Sequence, residues 1–400
     1  MEFPAFSNGK NILEKLEQHG HSAYFVGGAV RDFLIGRPIG DIDITTSAKP
    51  EQVQDIFPKV IPVGIEHGTV IVRHEGESFE VTTFRVEEGY SDFRHPDEVE
   101  FVNDLEKDLA RRDFTMNAIA MDKYGEVIDP YLGKSSIKEK MIRTVGTPSE
   151  RFSEDPLRML RALRFASQLD FQLESETFSA LADGAEMIKE ISIERITGEL
   201  EKLFAGPFVS KGIGLLRRSN LVDCLPVFKG NRRLQKSLSQ VKVPFCQLSE
   251  LICMLVYWEQ QVTISEWAKA WKLSNRTKKE TEQLYEAISY SSEKQIDAWL
   301  VYQLPSHLLD SFIRLYTTYF SPVSRDYILS LNKALPIRQK RDLSVTGADL
   351  IEWFPERKKG PWINQALTSI EKLVVIGELP NQKNVLKEWV KHEYHPQSTD

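Results

Sequence analysis

The sequence is poor in several features that would place it in a particular class of protein. No apolar run approaches the roughly 20 residues that a membrane helix needs, and the start, Met1-Glu2-Phe3-Pro4, lacks a signal-peptide pattern. Its 3 cysteines have no metal-ligand spacing, and they fit a reducing cytosol better than a disulfide framework. These absences predict a cytoplasmic protein with no membrane partner.

The charge balance excludes a surface that is basic throughout. The 51 Lys and Arg residues are outnumbered by 58 Asp and Glu residues, which gives a net charge of −7. Nucleic acid is not excluded, because binding depends on the local field. Basic clusters lie in the C-terminal half, where each fits either a solvated helix end or part of a surface that follows a nucleic-acid backbone: Arg217-Arg218, Lys229 with Arg232-Arg233, Arg276 with Lys278-Lys279, Arg338 with Lys340-Arg341, and Arg357-Lys358-Lys359.

The periodicity of apolar residues changes along the 400 residues, which predicts several domains. Residues 1 to about 145 mix strand and helix patterns, with strands over Ala23–Val26 and Asp41–Thr46, a hairpin over Thr69–Phe84 and a helix over Asp104–Met121. The polar stretch Glu87–Glu98 is typical of a mobile loop. From Ser149 onward nearly all patterns are helical, including Glu154–Leu169 and Gly347–Asp400. The predicted fold class is an α+β head with a mixed sheet, followed by an all-α body.

A Gly pair and two alternating aspartates form the most informative motif. Gly27-Gly28-Ala29-Val30-Arg31-Asp32 follows an apolar strand, and Asp41-Ile42-Asp43 comes soon after it. On a strand, Asp41 and Asp43 point to the same face, where two carboxylates repel each other unless a cation lies between them. Mg²⁺ is the usual cation, and it usually brings phosphate with it. The pattern predicts a metal-dependent phosphoryl-transfer site.

Neighbouring residues fit the same chemistry. Glu80, on the strand that follows, is either a third carboxylate of the site or an outward-facing strand residue. The Gly pair lets the backbone approach phosphate closely, and Arg31 supplies a charged clamp.

A second motif is Arg111-Arg112-Asp113-Phe114-Thr115-Met116-Asn117-Ala118. On the predicted helix, Asp113 and Asn117 share a face and Arg112 lies beside Asp113. A ribose 2′-hydroxyl both donates and accepts hydrogen bonds, so this set suits it. An ordinary surface ion pair on a capped helix fits the motif equally well.

A third motif combines Asp155 with a stripe of arginines. Asp155 precedes Arg158 by three residues, and Arg161 and Arg164 continue the stripe along one helix face. An acceptor beside a fork of donors matches the Watson–Crick edge of cytosine or adenine, and it leaves polar groups unpaired against uracil or guanine. The simpler interpretation is an acidic first turn followed by solvated arginines. The apolar residues around the stripe favour a partly enclosed cleft.

These motifs, in this order, resemble the tRNA nucleotidyltransferase and poly(A) polymerase family, on the side of its bacterial-type, class II CCA-adding enzymes. The resemblance is specific through residue 170, and it is looser beyond, where it depends on Val345-Thr346-Gly347-Ala348-Asp349-Leu350 and Gly360-Pro361-Trp362. It implies a polymerase-β-like nucleotidyltransferase head over residues 1–145, a base-recognising neck over 146–205, a body over 206–300 and a tRNA-binding tail over 301–400.

The resemblance also implies an activity and a set of site residues. The expected reaction adds CCA to the 3′ end of tRNA from CTP and ATP, releases pyrophosphate and needs no nucleic-acid template. Asp41 and Asp43 would hold Mg²⁺. The stretch Glu87–Glu98 resembles a flexible segment of the family that is linked to the change from C to A addition. The expected nucleotide-binding residues are Gly28, Arg31, Arg112, Asp113, Asp155, Arg158, Arg161 and Arg164, with Glu80 as a further catalytic candidate.

Other functions stay open at this point. Partial enzymes that add only CC or only A share every motif. A poly(A) polymerase usually carries a basic C-terminal extension. The acidic charge balance and the short end over Tyr394–Asp400 argue against that function. A non-catalytic RNA-binding protein would not need Asp41 and Asp43. The oligomeric state, including a homodimer, is also left open.

Overall fold

The structure is a computed structural model that describes residues 6–89 and 98–392. The chain divides into two compact units, Met1–Phe245 and Cys246–Asp400. Among the described residues, no helix combines the length and the apolar character needed to cross a bilayer. The predicted α+β head followed by helices is confirmed. The finer division at residues 145, 205 and 300 stays a prediction.

The first part of unit 1 mixes strands with short helices. In chain order its elements are α1 (Ser7–Gln18), β1 (Ala23–Val26), α2 (Gly28–Leu34), β2 (Asp43–Thr46), α3 (Pro50–Ile56), β3 (Val60–Pro62), β4 (Thr69–His74), β5 (Glu77–Thr83), β6 (Arg85–Glu88), β7 (Glu98–Phe101), α4 (Leu105–Ala110), β8 (Ala120–Met121), β9 (Val127–Ile128), α5 (Gly133–Lys138) and β10 (Met141–Ile142).

Seven of these strands form one sheet in the order β3-β4-β5-β2-β1-β8-β9. Its pairs are antiparallel except for β2 and β5, which run parallel. Helix α1 packs on the sheet through Ile12, Leu13 and Leu16, which are buried. A Cβ atom at Gly9 would lie 2.7 Å from the Phe25 ring, so the glycine permits this close approach. The packed sheet carries Asp43 at the start of β2.

The rest of unit 1 is helical apart from one short strand, which pairs with β10. Helix α7 is its buried centre, and it packs against α9 and α10. The elements are α6 (Pro148–Glu154), α7 (Leu157–Leu169), β11 (Gln172–Leu173), α8 (Ser175–Asp183), α9 (Ile193–Phe204), α10 (Val209–Arg218), α11 (Leu221–Cys224) and α12 (Arg232–Ser237).

The described part of unit 2 consists of helices and connecting segments. They are α13 (Leu248–Trp258), α14 (Ile264–Ala270), α15 (Asn275–Glu293), α16 (Ala298–Gln303), α17 (Leu309–Tyr319), α18 (Arg325–Ala334), α19 (Gly347–Trp353), α20 (Trp362–Val375) and α21 (Lys383–His392). The predicted helical character of Gly347–Asp400 is confirmed as far as His392, and residues 393–400 lie outside the described part of the chain.

The predicted helix over Asp104–Met121 is wrong. Only Leu105–Ala110 is α-helical, and a 3-10 turn over Thr115–Asn117 and strand β8 follow. The backbone of Thr115 donates to the carbonyl of Arg143 at 2.9 Å, and Phe114 forms an isolated bridge with Thr144. Tertiary pairing therefore replaces the local helix preference in this segment.

Two other boundaries differ from the prediction. Helix Glu154–Leu169 is interrupted at Asp155, which is extended because a proline follows it and disfavours the helical conformation. Strand β2 begins at Asp43, so Asp41 lies before it. The predicted loop Glu87–Glu98 begins and ends in the paired strands β6 and β7, and residues 90–97 lie outside the described residues.

Candidate active site

Two carboxylates lie side by side at the N-terminal end of β2, a central strand of the sheet. Asp43 lies opposite Glu80 in the register of the parallel strands β2 and β5. Burial is the main cause that raises the pKa of Asp43 to about 6, and the charges of Glu80 and Asp41 add to it, whereas Arg112 acts to lower it. A carboxylate in this state is short of positive charge. The site therefore fits a cation beside Asp43.

The donor set around Asp43 fits a hard divalent cation that keeps open coordination positions. Within residues 6–89 and 98–392, no group of three or more His, Cys, Asp or Glu side chains is arranged to hold a metal ion. Mg²⁺ is usually bound by one or two carboxylates, with water and substrate phosphate completing its shell. Asp41 and Asp43 can supply such a pair.

The turn at Gly27 brings the backbone close to the Asp43 carboxylate. Gly27 has a φ of 72°, a region that L side chains rarely adopt. A Cβ atom there would lie 3.0 Å from Arg112 Nη1 and 3.7 Å from Asp43 Oδ2. The sequence therefore needs glycine at this turn for its conformation and for space. The turn, Arg112 and Asp43 line one small region.

A network of polar side chains joins the head sheet to helix α7. Asp113 Oδ1 accepts a hydrogen bond from Asn117 Nδ2 at 2.9 Å, and Asn117 Oδ1 accepts one from Arg31 Nη1 at 2.6 Å. Arg161 on α7 donates to Asp113 Oδ2 through Nε and Nη2, at 2.9 and 2.6 Å. Burial acts to raise the pKa of Asp113, but Arg161 and Asn117 outweigh it and hold that pKa well below its ordinary value.

The arginine stripe of α7 is partly neutralised from helix α9. Glu199 is 6% exposed, and its Oε2 lies 2.6 Å from Arg164 Nε, while its Oε1 lies 3.9 Å from Arg161 Nη1. Burial lowers the pKa of Arg164, although Glu199 acts in the opposite direction. Arg161, whose side chain is 33% exposed, and the more buried Arg164 therefore lie near one carboxylate, and with Arg31 they form a basic cluster around the Phe165 ring.

Asp155 and Arg158 do not share a helix face, contrary to the prediction. Asp155 precedes α7 in extended conformation, and its Oδ2 accepts from Arg195 Nη2 at 2.8 Å. Arg158 is 8% exposed; it pairs with Glu154 and donates to the carbonyls of Arg151 and Arg111, each at 3.2 Å. The two side chains are therefore held by different partners.

The sequence interpretation missed Asp108, which lies at the centre of another buried network. Its side chain is fully buried and accepts from Thr45 Oγ1 at 3.1 Å and from Arg111 Nε at 3.0 Å. Arg112 Nη2 lies 3.6 Å from Asp108 Oδ2, the oxygen that also accepts from Thr45. The spacing of four between Asp108 and Arg112 is a helix-pair signal that could have found it. Arg195 and Glu199 are also four residues apart, but this spacing does not indicate their partners, which lie on other elements.

Three family models match successive parts of the chain. They are described as "Poly A polymerase head domain" over residues 23–143, as "Probable RNA and SrmB- binding site of polymerase A" over 170–229, and as "tRNA nucleotidyltransferase domain 2 putative" over 247–390.

Two curated relatives and one solved structure match nearly the whole chain. The CCA-adding enzyme of Oceanobacillus iheyensis is 45% identical over 387 residues, which is 96% of this chain and 97% of the relative. That of Bacillus mycoides is 43% identical over 390 residues, 96% of this chain and 98% of the relative. The crystal structure of the Bacillus stearothermophilus CCA-adding enzyme in complex with CTP superposes with a TM-score of 0.88 at 40% identity and covers 98% of both chains.

Proposed function

The chain belongs to the family of CCA-adding enzymes, and we propose that its site transfers cytidylate and adenylate from CTP and ATP to the 3′ end of tRNA. The observation that carries this assignment to particular residues is the meeting of Asp43 with Glu80, the Gly27 turn and Arg112 at the N-terminal end of β2. There Asp43, together with Asp41, offers carboxylates suited to a divalent cation, beside a backbone approach suited to phosphate.

The reaction is the attack of the tRNA 3′-hydroxyl on the α-phosphorus of the nucleotide, with pyrophosphate as the leaving group. Two cytidylates are added before one adenylate. The protein selects each nucleotide without a template strand. We propose Mg²⁺ at Asp41 and Asp43. The chemistry that Mg²⁺ supplies at such a site is a lowered pKa for the attacking hydroxyl and charge compensation on the pyrophosphate oxygens.

The arginines divide between the phosphates and the base. Arg112 borders the Gly27 turn and Asp43, which suits it to the phosphate that reacts. Arg31, Arg161 and Arg164 form the cluster suited to the remaining phosphates and the ribose. Asp113 contributes through Arg161 and Asn117, since both of its oxygens already accept hydrogen bonds.

Base recognition needs a change of partners. For Asp155 and Arg158 to present an acceptor and a fork of donors to one base, Arg195 has to release Asp155 and Glu154 has to release Arg158. A hydrogen bond to a neutral base replaces a charge-assisted bond in each case, so the exchange has a cost that the other contacts of the bound nucleotide must offset. Cytosine and adenine offer such bonds to this pair, whereas uracil and guanine do not.

Several finer proposals accompany this function. Residues 1–145 would be the catalytic head, 146–205 the base-recognising neck, 206–300 the body and 301–400 the tail that binds tRNA. The exposed members of the basic clusters, such as Arg217 and Arg233, would contact its backbone. The cytoplasmic location and a homodimer stay predictions.

A primer-extension assay tests the function. The purified protein receives Mg²⁺ and a tRNA without its 3′ CCA, together with CTP, ATP, both, or UTP plus GTP. Two C with CTP alone and full CCA with both nucleotides are expected, and a metal chelator stops both. A halt after CC, extension only of tRNA that already ends in CC, or a long A tail would point instead to a CC-adding enzyme, an A-adding enzyme or a poly(A) polymerase.

A further inference from the structure

One aromatic ring lies among three guanidinium groups of the nucleotide cluster. Phe165 on α7 is 4% exposed. The Cζ atoms of Arg164, Arg31 and Arg161 lie 4.0, 5.0 and 5.6 Å from its ring centroid. Phe114 contacts the same ring edge-on, with centroids 5.8 Å apart and an interplanar angle of 87°. The ring is thus fixed by the core on one side and lies among cations on others.

A role in the apolar core would account for the burial of Phe165, but it would not account for the three guanidinium groups around the ring. A guanidinium group within about 6 Å of a ring centroid is attracted by the ring, and all three arginines lie within that distance of Phe165. The face of the ring carries partial negative charge, which attracts guanidinium groups. Like charges that repel one another are therefore gathered around a shared neutral surface.

The arginines have polar partners that are themselves linked, since Glu199 lies near both Arg161 and Arg164 and Asn117 donates to Asp113. The Phe165 ring contacts all three guanidinium groups. Arg31 donates to Asn117, Arg161 donates to Asp113, and Arg164 pairs with Glu199. These partners belong to the 113–117 segment and to helix α9. They hold the guanidinium groups in place from outside, and the ring lies between them.

We propose that Phe165 is a positioning residue for nucleotide binding, whose ring holds Arg31, Arg161 and Arg164 as one preorganised phosphate-binding cluster. This inference rests on the proposed function. Because the ring acts through the arginines, its removal weakens nucleotide binding more than it slows the chemical step. Both CTP and ATP are affected equally, since both carry the same triphosphate.

The test separates the electrostatics of the ring from its shape. Phe165→Leu removes the ring, and single-site incorporation of 3,4,5-trifluorophenylalanine at the same position keeps its shape but depletes its negative face. We expect the KM for CTP and for ATP to rise about tenfold in Phe165→Leu and by a smaller factor in the fluorinated protein. kcat changes less than KM in both. Phe228→Leu, at a buried position of the same unit, is the matched control with unchanged KM.

The outcomes are distinct from a failure of the proposed function. Wild-type protein that extends tRNA with CTP and ATP establishes the function before any variant is compared. An unchanged KM in the fluorinated protein overturns the proposal, even when Phe165→Leu is impaired, because shape alone then accounts for the ring. The fluorinated protein also keeps the test valid if Phe165→Leu fails to fold.

Discussion

Asp113 and Arg161 are 48 residues apart in the chain, yet both Nε and Nη2 of Arg161 donate to the same oxygen of Asp113, at 2.9 and 2.6 Å. Asp113 follows helix α4 of the head, and Arg161 lies on the buried helix α7. A carboxylate that is 7% exposed needs such a partner to stay charged. The pair therefore ties the head segment to α7 and makes that tie sensitive to protonation.

Asp113→Asn should change how stability depends on pH. The pKa of Asp113 is held below its ordinary value of 3.8 in the folded protein, despite burial, by Arg161 and Asn117. The stabilisation is therefore fully present above pH about 4 and is lost as pH falls toward the folded pKa. At pH 7 we expect Asp113→Asn to lower the free energy of unfolding by about 3 kcal/mol, a deficit that shrinks below pH about 4.

Denaturant unfolding followed at several pH values measures this difference. Asp170→Asn is the control, because Asp170 pairs with Lys211 but its side chain is 40% exposed, and an exposed pair contributes little. Unfolding curves of wild type and Asp113→Asn that stay equally separated from pH 7 to pH 3 would contradict the assignment.

Asp41→Ala and Asp43→Ala should each abolish nucleotide transfer and leave tRNA binding nearly intact. The carboxylates hold the cation, whereas tRNA is gripped by basic surface elsewhere. Primer extension measures transfer, and filter binding measures tRNA affinity. Residual transfer at the wild-type rate in Asp41→Ala would refute the metal assignment. Glu80→Gln, opposite Asp43 in the sheet, shows whether a third carboxylate takes part.

Arg158→Ala should relax the choice of base and slow transfer. Its guanidinium supplies the proposed donors for cytosine and adenine, and without it the mismatched edges of uracil and guanine leave fewer donors unpaired. The ratio of kcat/KM for CTP to that for UTP is the measurement. Arg218→Ala, an exposed arginine at the end of α10, is the control, and its ratio should equal that of the wild type. An equal ratio in Arg158→Ala would exclude the base-edge interpretation.

Asp108→Ala should destabilise the head more than any exposed substitution. It leaves Arg111 and Arg112 without this buried carboxylate and removes one of the two acceptors near Thr45 Oγ1. Breaking a buried charged network costs about 3–5 kcal/mol. The free energy of unfolding measures the loss. Asp122→Ala, in the turn between β8 and β9, is a control that should cost far less, and equal losses would show that Asp108 has no special role.

Cys246 should be the thiol that reacts with a modifying reagent in the native protein. It is exposed, whereas Cys224 and Cys253 are buried. Burial raises the pKa of Cys224 to about 11 and raises that of Cys253 further, and the thiolate is the reactive form. A thiol titration should therefore give one rapid equivalent before unfolding and three after it. Cys246→Ser should remove the rapid phase, and its persistence would show that a buried thiol is accessible.

Local sequence patterns were sufficient to predict secondary structure where the local conformational preference matches the conformation in the fold. The strand Ala23–Val26 has the predicted bounds. The helix predicted over Asp104–Met121 was wrong, because Phe114 and Thr115 in this segment pair with residues 143–144. Periodicity carries no information about such a partner. The same reason hid Glu199, which acts on two arginines of a different helix.

The sequence by itself determined the fold class, the family and the chemistry, because a Gly pair, an Asp-x-Asp and a stripe of arginines need only local spacing to be recognised. The tertiary structure decided which of those groups meet. It placed Asp43 opposite Glu80, engaged Asp155 and Arg158 with different partners, and set three arginines around Phe165. Burial and distance fix the charge state and strength of each contact, and both arise only when distant segments pack together.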